Sequence, residues 1–286
     1  MAAQFGGRVV VVSGAGSRGS GIGNGRAAAI LLARAGARVA LLDRERDWAQ
    51  TTADLIATEG NTALVVEADV ADPGSCAAAI AAVVENCGGI YGLVNNVGIG
   101  GPPGDAIDVD PDGWDLGMRV NVKSMMLTAK YCLPHMIAAG HGSIVNISSV
   151  AGLRGGIPSL LYPTSKAAVI GLTRAMAAQH GREGVRVNCV APGMVYTPMV
   201  SAGMTAEVRD RRRRRSLLGT EGTGWDVGHA VRFLLSDEAR WVTGVVFPVD
   251  AGTAAGTPAY PPVPAMFTEG VAAGLSPDGT EQGKDT

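Results

Sequence analysis

Seven short runs, apolar at consecutive rather than alternate positions, constrain this chain more than any other feature: Val9 to Val12, Val39 to Leu42, Ala63 to Val66, Gly92 to Val94, Ile144 to Ile147, Val185 to Val190 and Val245 to Val249. A strand with one wet face alternates apolar and polar residues, whereas a strand covered by helices on both faces does not. Between the runs lie segments of helical character, including Ala27 to Ala35, Cys76 to Asn86, Trp114 to Ala139, Leu160 to His180 and Val227 to Leu235. This alternation predicts an α/β fold, a single doubly wound domain with a seven-stranded parallel sheet and helices on both faces. The domain is expected over residues 1–252. Beyond it, 253–286 read as a Pro/Gly-rich tail, since Pro258, Pro261, Pro262 and Pro264 exclude a regular helix or central strand. A loosely ordered tail is the leading reading. Tyr260, Val263, Met266 and Phe267 leave open a tail packed on a neighbouring subunit.

A chain of 286 residues that is 47% hydrophobic can bury a large core, and its 41 glycines and many alanines suit close helix-on-sheet packing. The net charge of −2 gives no general reason to expect nucleic acid or an anionic membrane as a partner. Cys76, Cys87, Cys132 and Cys189 are far apart and lack metal-type spacing, so reduced packing thiols in a cytoplasmic protein are expected. The start of the chain shows no basic-then-apolar leader, and no run is long enough to span a bilayer, so a soluble protein is expected. His135, His141, His180 and His229 are scattered, and no metal site is expected. Trp114, Trp225 and Trp241 read as core or interface anchors.

Two segments carry chemistry. The first follows the first apolar run: Ser13-Gly14-Ala15-Gly16-Ser17-Arg18-Gly19-Ser20-Gly21-Ile22-Gly23-Asn24-Gly25-Arg26, then an alanine-rich helix. Glycine lets a backbone approach a pyrophosphate, and a helix N-terminus offers free N–H groups and a positive dipole. The next run ends in Asp43, a carboxylate placed to accept from both ribose hydroxyls and to repel a 2′-phosphate. NAD is therefore favoured, while Arg44 and Arg18 keep NADP open. The second segment holds Ser149, then Tyr162-Pro163-Thr164-Ser165-Lys166. Tyr162 and Lys166 are four apart and can share a helix face, so the ammonium can favour a phenolate whose pKa starts near 10. Pro163 disfavours helix at Tyr162 yet is tolerated in a first turn, which places Tyr162 at or just inside the helix start. Taken alone, each of these residues has a packing or capping role as its plainest reading.

Together they resemble the short-chain dehydrogenase/reductase family in its compact single-domain branch, with a Rossmann-type fold, over Gly7 to about Gly252. That family's first turn reads Thr-Gly-x-x-x-Gly-x-Gly. Counting back from Gly36-Ala37 puts its Gly-x-Gly on Gly23-Asn24-Gly25, which makes this loop five residues longer, whereas spelling favours Gly21-Ile22-Gly23. Gly14, Gly21, Ile22 and Gly23 stand as cofactor candidates on either reading. The extra length would place Ser17, Arg18 or Ser20 over the pyrophosphate. Asp69-Val70 resembles the family's adenine contact, Asn95-Asn96-Val97-Gly98 its Asn-Asn-Ala-Gly, and Pro192-Gly193-Met194-Val195-Tyr196-Thr197 the segment in which Val195 and Thr197 would meet the carboxamide. Asn96, Gly98, Pro192 and Gly193 are thus cofactor-site candidates by resemblance. Val249-Asp250-Ala251-Gly252 resembles the closing strand, with alanine where glycine is usual.

The resemblance implies hydride transfer between NAD(H) and a secondary alcohol or ketone, alicyclic ones included. Tyr162 would be general acid/base, Ser149 would hold the substrate oxygen, Lys166 would anchor the ribose, and Asn121 would support a water-linked proton path. It also implies a homotetramer and a substrate lid at about 198–216. In that lid Arg211 to Arg215 would sweep about 400° of a helix, so at least one must lean on protein. A solvated or subunit-facing lid is the leading reading, and a grip on an anionic substrate the lesser one. The alternatives to an NAD enzyme are an NADP-dependent ketoreductase and a dinucleotide-binding sensor without turnover.

Overall fold

The computed structural model describes residues 4–19, 21–201 and 203–258. In chain order the strands are β1 (Val9–Ser13), β2 (Arg38–Asp43), β3 (Ala63–Glu67), β4 (Gly92–Asn95), β5 (Gly142–Ile147), β6 (Val185–Pro192), β7 (Val195–Tyr196), β8 (Gly222–Thr223) and β9 (Val246–Val249). The helices are α1 (Asn24–Arg34), α2 (Arg46–Thr58), α3 (Pro73–Cys87), α4 (Pro111–Met118), α5 (Ser124–Ala138), α6 (Leu161–His180), α7 (Pro198–Ser201), α8 (Ala206–Arg213) and α9 (Gly224–Leu235). Seven strands form one parallel sheet in the order β3-β2-β1-β4-β5-β6-β9, while β7 and β8 make a separate small ribbon.

Successive strand residues point to opposite faces. Val10 and Val12 join Leu41, Val94 and Val145 beneath α1 and α9. Val9 and Val11 join Ala40, Leu42, Leu93 and Ile144 beneath α3 and α5. All four valines of β1 are buried, which is why the run shows no alternation. Small residues set the spacing of the first layer: a Cβ at Gly228 of α9 would come within 2.8 Å of Leu31 and 3.1 Å of the α1 backbone.

The structure corrects some expectations. The predicted helix from Trp114 to Ala139 is a composite, with a wide π turn at Arg119–Lys123 between α4 and α5. Helix α2 and the β7–β8 ribbon were not anticipated. Trp241 is 92% exposed and is not a core residue, because it sits in the turn before β9 and no element among the described residues covers it. All four thiols are free, and burial pushes Cys76 and Cys189 up to about 11, as suits packing residues. Among the described residues no helix is long and apolar enough to cross a membrane, and no group of three or more His, Cys, Asp or Glu is placed to hold a metal. The expected tail contacts of Tyr260, Val263, Met266 and Phe267 lie outside the described residues, as does Ser20.

Candidate active site

The strand order reverses between β1 and β4, and in a doubly wound sheet this reversal opens a crevice at the carboxyl ends of the two strands. Gly14 leaves β1 there with φ +63°, a left-handed conformation natural to glycine. Across the crevice the Asn96 side chain donates to the Gly14 carbonyl at 2.9 Å. The two asparagines of the motif divide the work. Asn95 faces the interior, donating to Asn146 Oδ1 at 2.9 Å and accepting from the Thr128 hydroxyl at 2.6 Å, while Asn96 faces the loop.

Helix phase settles the glycine pair. Helix α1 begins at Asn24 with Gly23 as its N-cap, and a Cβ at Gly25 would overlap the Gly14 carbonyl. Gly25 is therefore the close-packing glycine, and Gly23-Asn24-Gly25 occupies the structural place of the motif. The spelling match at Gly21-Ile22-Gly23 lies in the lengthened loop instead, and a Cβ at Gly21 would come 2.5 Å from Pro198. The α1 N-terminus carries no side-chain cap and no acidic residue in its first turn. By contrast Asp72, Asp110 and Thr205 cap α3, α4 and α8. An uncapped N-terminus behind a glycine loop fits a pyrophosphate. Ser17 is buried, while Arg18 is exposed.

Asp43 closes β2 beside this loop, accepting from the Gly16 N–H at 2.9 Å and the Glu45 N–H at 3.2 Å. Each of its oxygens accepts one backbone bond, which leaves acceptor capacity to spare. Arg44 is exposed and lies 3.5 Å from Glu45. Asp69 accepts from the Ala71 N–H at 2.9 Å, the turn-capping role available to any aspartate, and Val70 beside it is buried.

The second cluster is built on α6 and the end of β5. Ser148 is buried and donates to the Lys166 carbonyl at 2.7 Å, while Ser149 turns outward and accepts from the Ala151 N–H at 3.1 Å. A Cβ at Gly152 would come 2.6 Å from the Lys166 backbone, so only glycine allows this turn to lie against α6. Tyr162 sits in the first turn of α6, as expected. Lys166 is 4% exposed, donates to the Ile147 carbonyl at 3.1 Å, and is pushed by burial down to about 8. Its Nζ stands 5.8 Å from the centre of the Tyr162 ring. Burial pushes the phenol above the ordinary tyrosine value, and a hydrogen bond with Ser149 offsets part of that rise. Desolvation is thus the larger influence on the phenol, and the Ser149 hydrogen bond the one that opposes it.

Asn121 lies in the π turn, fully buried, accepting from the Ile99 N–H at 2.7 Å and donating to the Ile99 carbonyl at 2.9 Å and to Ser165 Oγ at 3.0 Å. Ser165 in turn donates to the Tyr162 carbonyl at 2.8 Å, a link that sequence reading missed because a serine in a helix has no signature of its own. A Cβ at Gly98 would meet Lys166 Nζ at 3.1 Å and Asn121 Oδ1 at 3.5 Å, so Gly98, Asn121 and Lys166 converge. At the end of β6, Pro192 and Gly193 lead into β7, where Val195 is buried, and Thr197 just after it is 9% exposed. The segment expected as a lid contains α7 and α8, and the second helix ends at Arg213, two residues before the arginine run ends. Arg212 is the one that leans inward, donating to the Val195 carbonyl at 3.2 Å. Arg209 pairs with Glu221 at 2.6 Å, and Arg213 and Arg214 both pair with Asp210, at 2.7 and 2.6 Å.

A parallel sheet that gathers a glycine-rich strand-to-helix loop, a carboxylate at the end of β2 and a Ser/Tyr/Lys group on one edge fits a nucleotide-linked α/β oxidoreductase. Comparison with known proteins agrees. A family model described as enoyl-(acyl carrier protein) reductase matches residues 16–254. The chain is 41% identical over 243 residues to 2-(S)-hydroxypropyl-CoM dehydrogenase 3 of Xanthobacter autotrophicus, covering 83% of this chain and 94% of that protein. It is 38% identical over 252 residues to cis-4-hydroxycyclohexanecarboxylate dehydrogenase of Sinomonas cyclohexanicum, covering 88% and 98%. The crystal structure of a short-chain dehydrogenase/reductase from Burkholderia xenovorans superposes with a TM-score of 0.85 at 38% identity, covering 89% of this chain and 99% of that one. The chain belongs to the short-chain dehydrogenase/reductase family, and is an enzyme of NAD(P)-linked oxidation and reduction.

Proposed function

We propose that the protein is an NAD-dependent dehydrogenase of a secondary alcohol, reversible to the ketone, with Tyr162 as the proton-transfer group. The observation that carries this reading is the convergence of Ser149, Tyr162 and Lys166 on the edge where Gly14 and Asp43 face the crevice. Gly14, Ser17, Gly23 and the α1 N-terminus hold the pyrophosphate, with Arg18, Gly21 and Ile22 on the same loop. Asp43 holds the adenosine ribose beside Arg44, while Asp69 and Val70 flank the adenine. Asn96, Gly98, Pro192, Gly193, Val195 and Thr197 line the nicotinamide end. When bound, the dinucleotide exchanges the hydride and its oxidised ring contributes a positive charge next to the phenol.

Ser149 holds the substrate oxygen, so that charge developing there meets a fixed donor. Tyr162 takes the hydroxyl proton during oxidation and returns it during reduction. A useful phenolate fraction near neutral pH takes roughly 3 to 4 kcal/mol of differential stabilisation, and since burial of Tyr162 opposes it, Lys166 and the oxidised ring must act together. Lys166 also anchors the ribose, and Asn121 holds the proton path open behind it. Small-molecule alcohols are the substrates, and the names of the relatives favour a short-chain or alicyclic one. Assembly as a homotetramer belongs to the same reading.

The test is the absorbance of reduced nicotinamide during turnover against a panel of alcohols and ketones, with NAD and NADP titrated separately. Tyr162→Phe is expected to abolish turnover, by about a thousandfold or more, while dinucleotide binding persists; a Tyr162→Phe variant with parental turnover defeats the mechanism. Tighter binding of NADP than NAD would defeat the reading of Asp43 and favour an NADP-dependent ketoreductase. Binding with no turnover on any alcohol would favour a silent sensor. A second reading, an anionic substrate, is favoured by the exposed Arg211 on the lid and by the carboxylate in the name of one relative. Replacing Arg211 and Arg214 and finding the KM and its salt dependence unchanged would count against it.

A further inference from the structure

Arg26, the first residue after the close-packing Gly25, has a fully buried side chain. A guanidinium has five N–H donors, and here each finds an acceptor, none of them a carboxylate. Nη1 donates to the Gly19 carbonyl at 3.1 Å and the Gly21 carbonyl at 2.6 Å. Nη2 donates to the Ser17 carbonyl at 3.3 Å and the Trp48 carbonyl at 3.4 Å, and Nε donates to Thr52 Oγ1 at 3.0 Å. Thr52 passes the connection on, donating to the Ala15 carbonyl at 2.9 Å. The carbonyls of Ala15, Ser17, Gly19 and Gly21 are thus all turned inward, at every second residue of the lengthened loop.

In a trans peptide the N–H points opposite to the carbonyl that precedes it. Turning those carbonyls inward therefore turns the N–H groups of Gly16, Arg18 and Ile22 outward. The Gly16 N–H already shows the result, because it reaches a negatively charged acceptor, Asp43 Oδ2, at 2.9 Å. The loop is wedged at its far end as well: Gly21 abuts Pro198 at the foot of the lid, and a Cβ at Gly224 would come 2.8 Å from the Gly23 carbonyl.

We propose that Arg26 is a positioning residue for the dinucleotide: a buried cation that winds the five-residue-longer loop around itself and so presents the outward N–H groups of Arg18 and Ile22 to the pyrophosphate. The inference rests on the dinucleotide reading above and adds to it the device by which an unusually long, glycine-rich loop keeps one shape. Its charge is held in the interior with no carboxylate in hydrogen-bond contact, and Asp43 is the carboxylate that favours it through space.

The test compares ADP-ribose, which carries the pyrophosphate, with adenosine, which does not, by calorimetric titration of the whole chain. Arg26→Met is expected to weaken ADP-ribose at least twentyfold while adenosine stays within twofold, and Arg26→Lys, which keeps the charge with fewer donors, to fall between. Equal weakening of both ligands means a merely structural role and overturns the proposal, as does parental ADP-ribose affinity in either variant. If Arg26→Met does not fold, Arg26→Lys carries the comparison. Hydrogen exchange on the unaltered protein serves independently of any variant: ADP-ribose is expected to slow the Arg18 and Ile22 amides at least tenfold where adenosine does not, and no slowing overturns the proposal. A parent chain that binds neither ADP-ribose nor dinucleotide sinks the dinucleotide reading itself, whereas a parent that binds both with unaffected variants sinks only the clamp.

Discussion

Lys166 carries its charge at a cost, because burial lowers its pKa to about 8. Between that value and the ordinary lysine value near 10.4 the unfolded chain holds more protons than the folded one, so stability rises with pH across that window. Below about 8 the full penalty is present. Lys166→Met removes the penalty but leaves the Ile147 carbonyl without its donor, a partial offset of about 1 to 3 kcal/mol. The expected outcome is a variant without turnover that loses the parent's rise in melting temperature between pH 8 and 10. Calorimetric scans at several pH values check it, and an unchanged pH slope would mean that the lysine is solvated. A second residue-scale consequence concerns Ala251, whose φ of +51° is a left-handed conformation where the family's usual glycine would be unstrained. Ala251→Gly is expected to stabilise the fold by about 0.5 to 1 kcal/mol after the entropy cost of glycine, a rise of about 1 to 2 °C in Tm. A lower Tm would show that its bonds to Leu217 and Leu218 depend on the methyl-bearing residue.

Among the elements, the β1–loop–α1 unit makes the sharpest demand on sequence. At Gly25 a methyl group would have to enter backbone of Gly14, whereas Gly19 is left-handed but has open space around its Cβ position. Gly25→Ala is therefore expected to cost about 2 to 4 kcal/mol and to weaken dinucleotide binding, and Gly19→Ala only about 1 kcal/mol. Denaturant titrations of the two variants check the order, and a reversed order would mean that Gly25 is not the close-packing glycine. The contrast also explains what the sequence could reveal. The strands were legible because burial on both faces leaves continuous apolar runs, and Tyr162, Lys166 and Ser149 because their spacing is fixed by one helix and one turn. Helix α2 was not, since its buried residues Ala49, Thr52, Ala53 and Ile56 are mostly small and polar residues are interleaved with them. The π turn at Asn121 has no periodicity of its own. Arg26 was invisible as a buried group: an arginine after a glycine reads as surface, and it is the lengthened loop closing over it that makes it interior.

At the scale of the whole molecule, the sheet has an open edge at β9 among the described residues. Next to it Phe233 of α9 and Phe247 of β9 line one surface groove and are 38% and 39% exposed, with Val245 at 36% beside them. An exposed apolar patch on an open edge is a hazard unless something covers it. Pro248 removes a backbone donor within β9, so strand-to-strand extension of the sheet is disfavoured, and a partner would cover this face through side chains. A second copy of the chain, placed across a twofold axis, pairs each patch with itself and leaves no surface open to further growth. On the homotetramer reading proposed above, the substitution pair Phe233→Glu and Phe247→Glu is then expected to lower the assembled mass at least twofold in sedimentation velocity. It should leave the far-ultraviolet circular dichroism unchanged, because neither side chain belongs to the buried core. An unaltered assembled mass would mean that the copies meet elsewhere, and that this edge is protected by Pro248 and the twist of β9 alone.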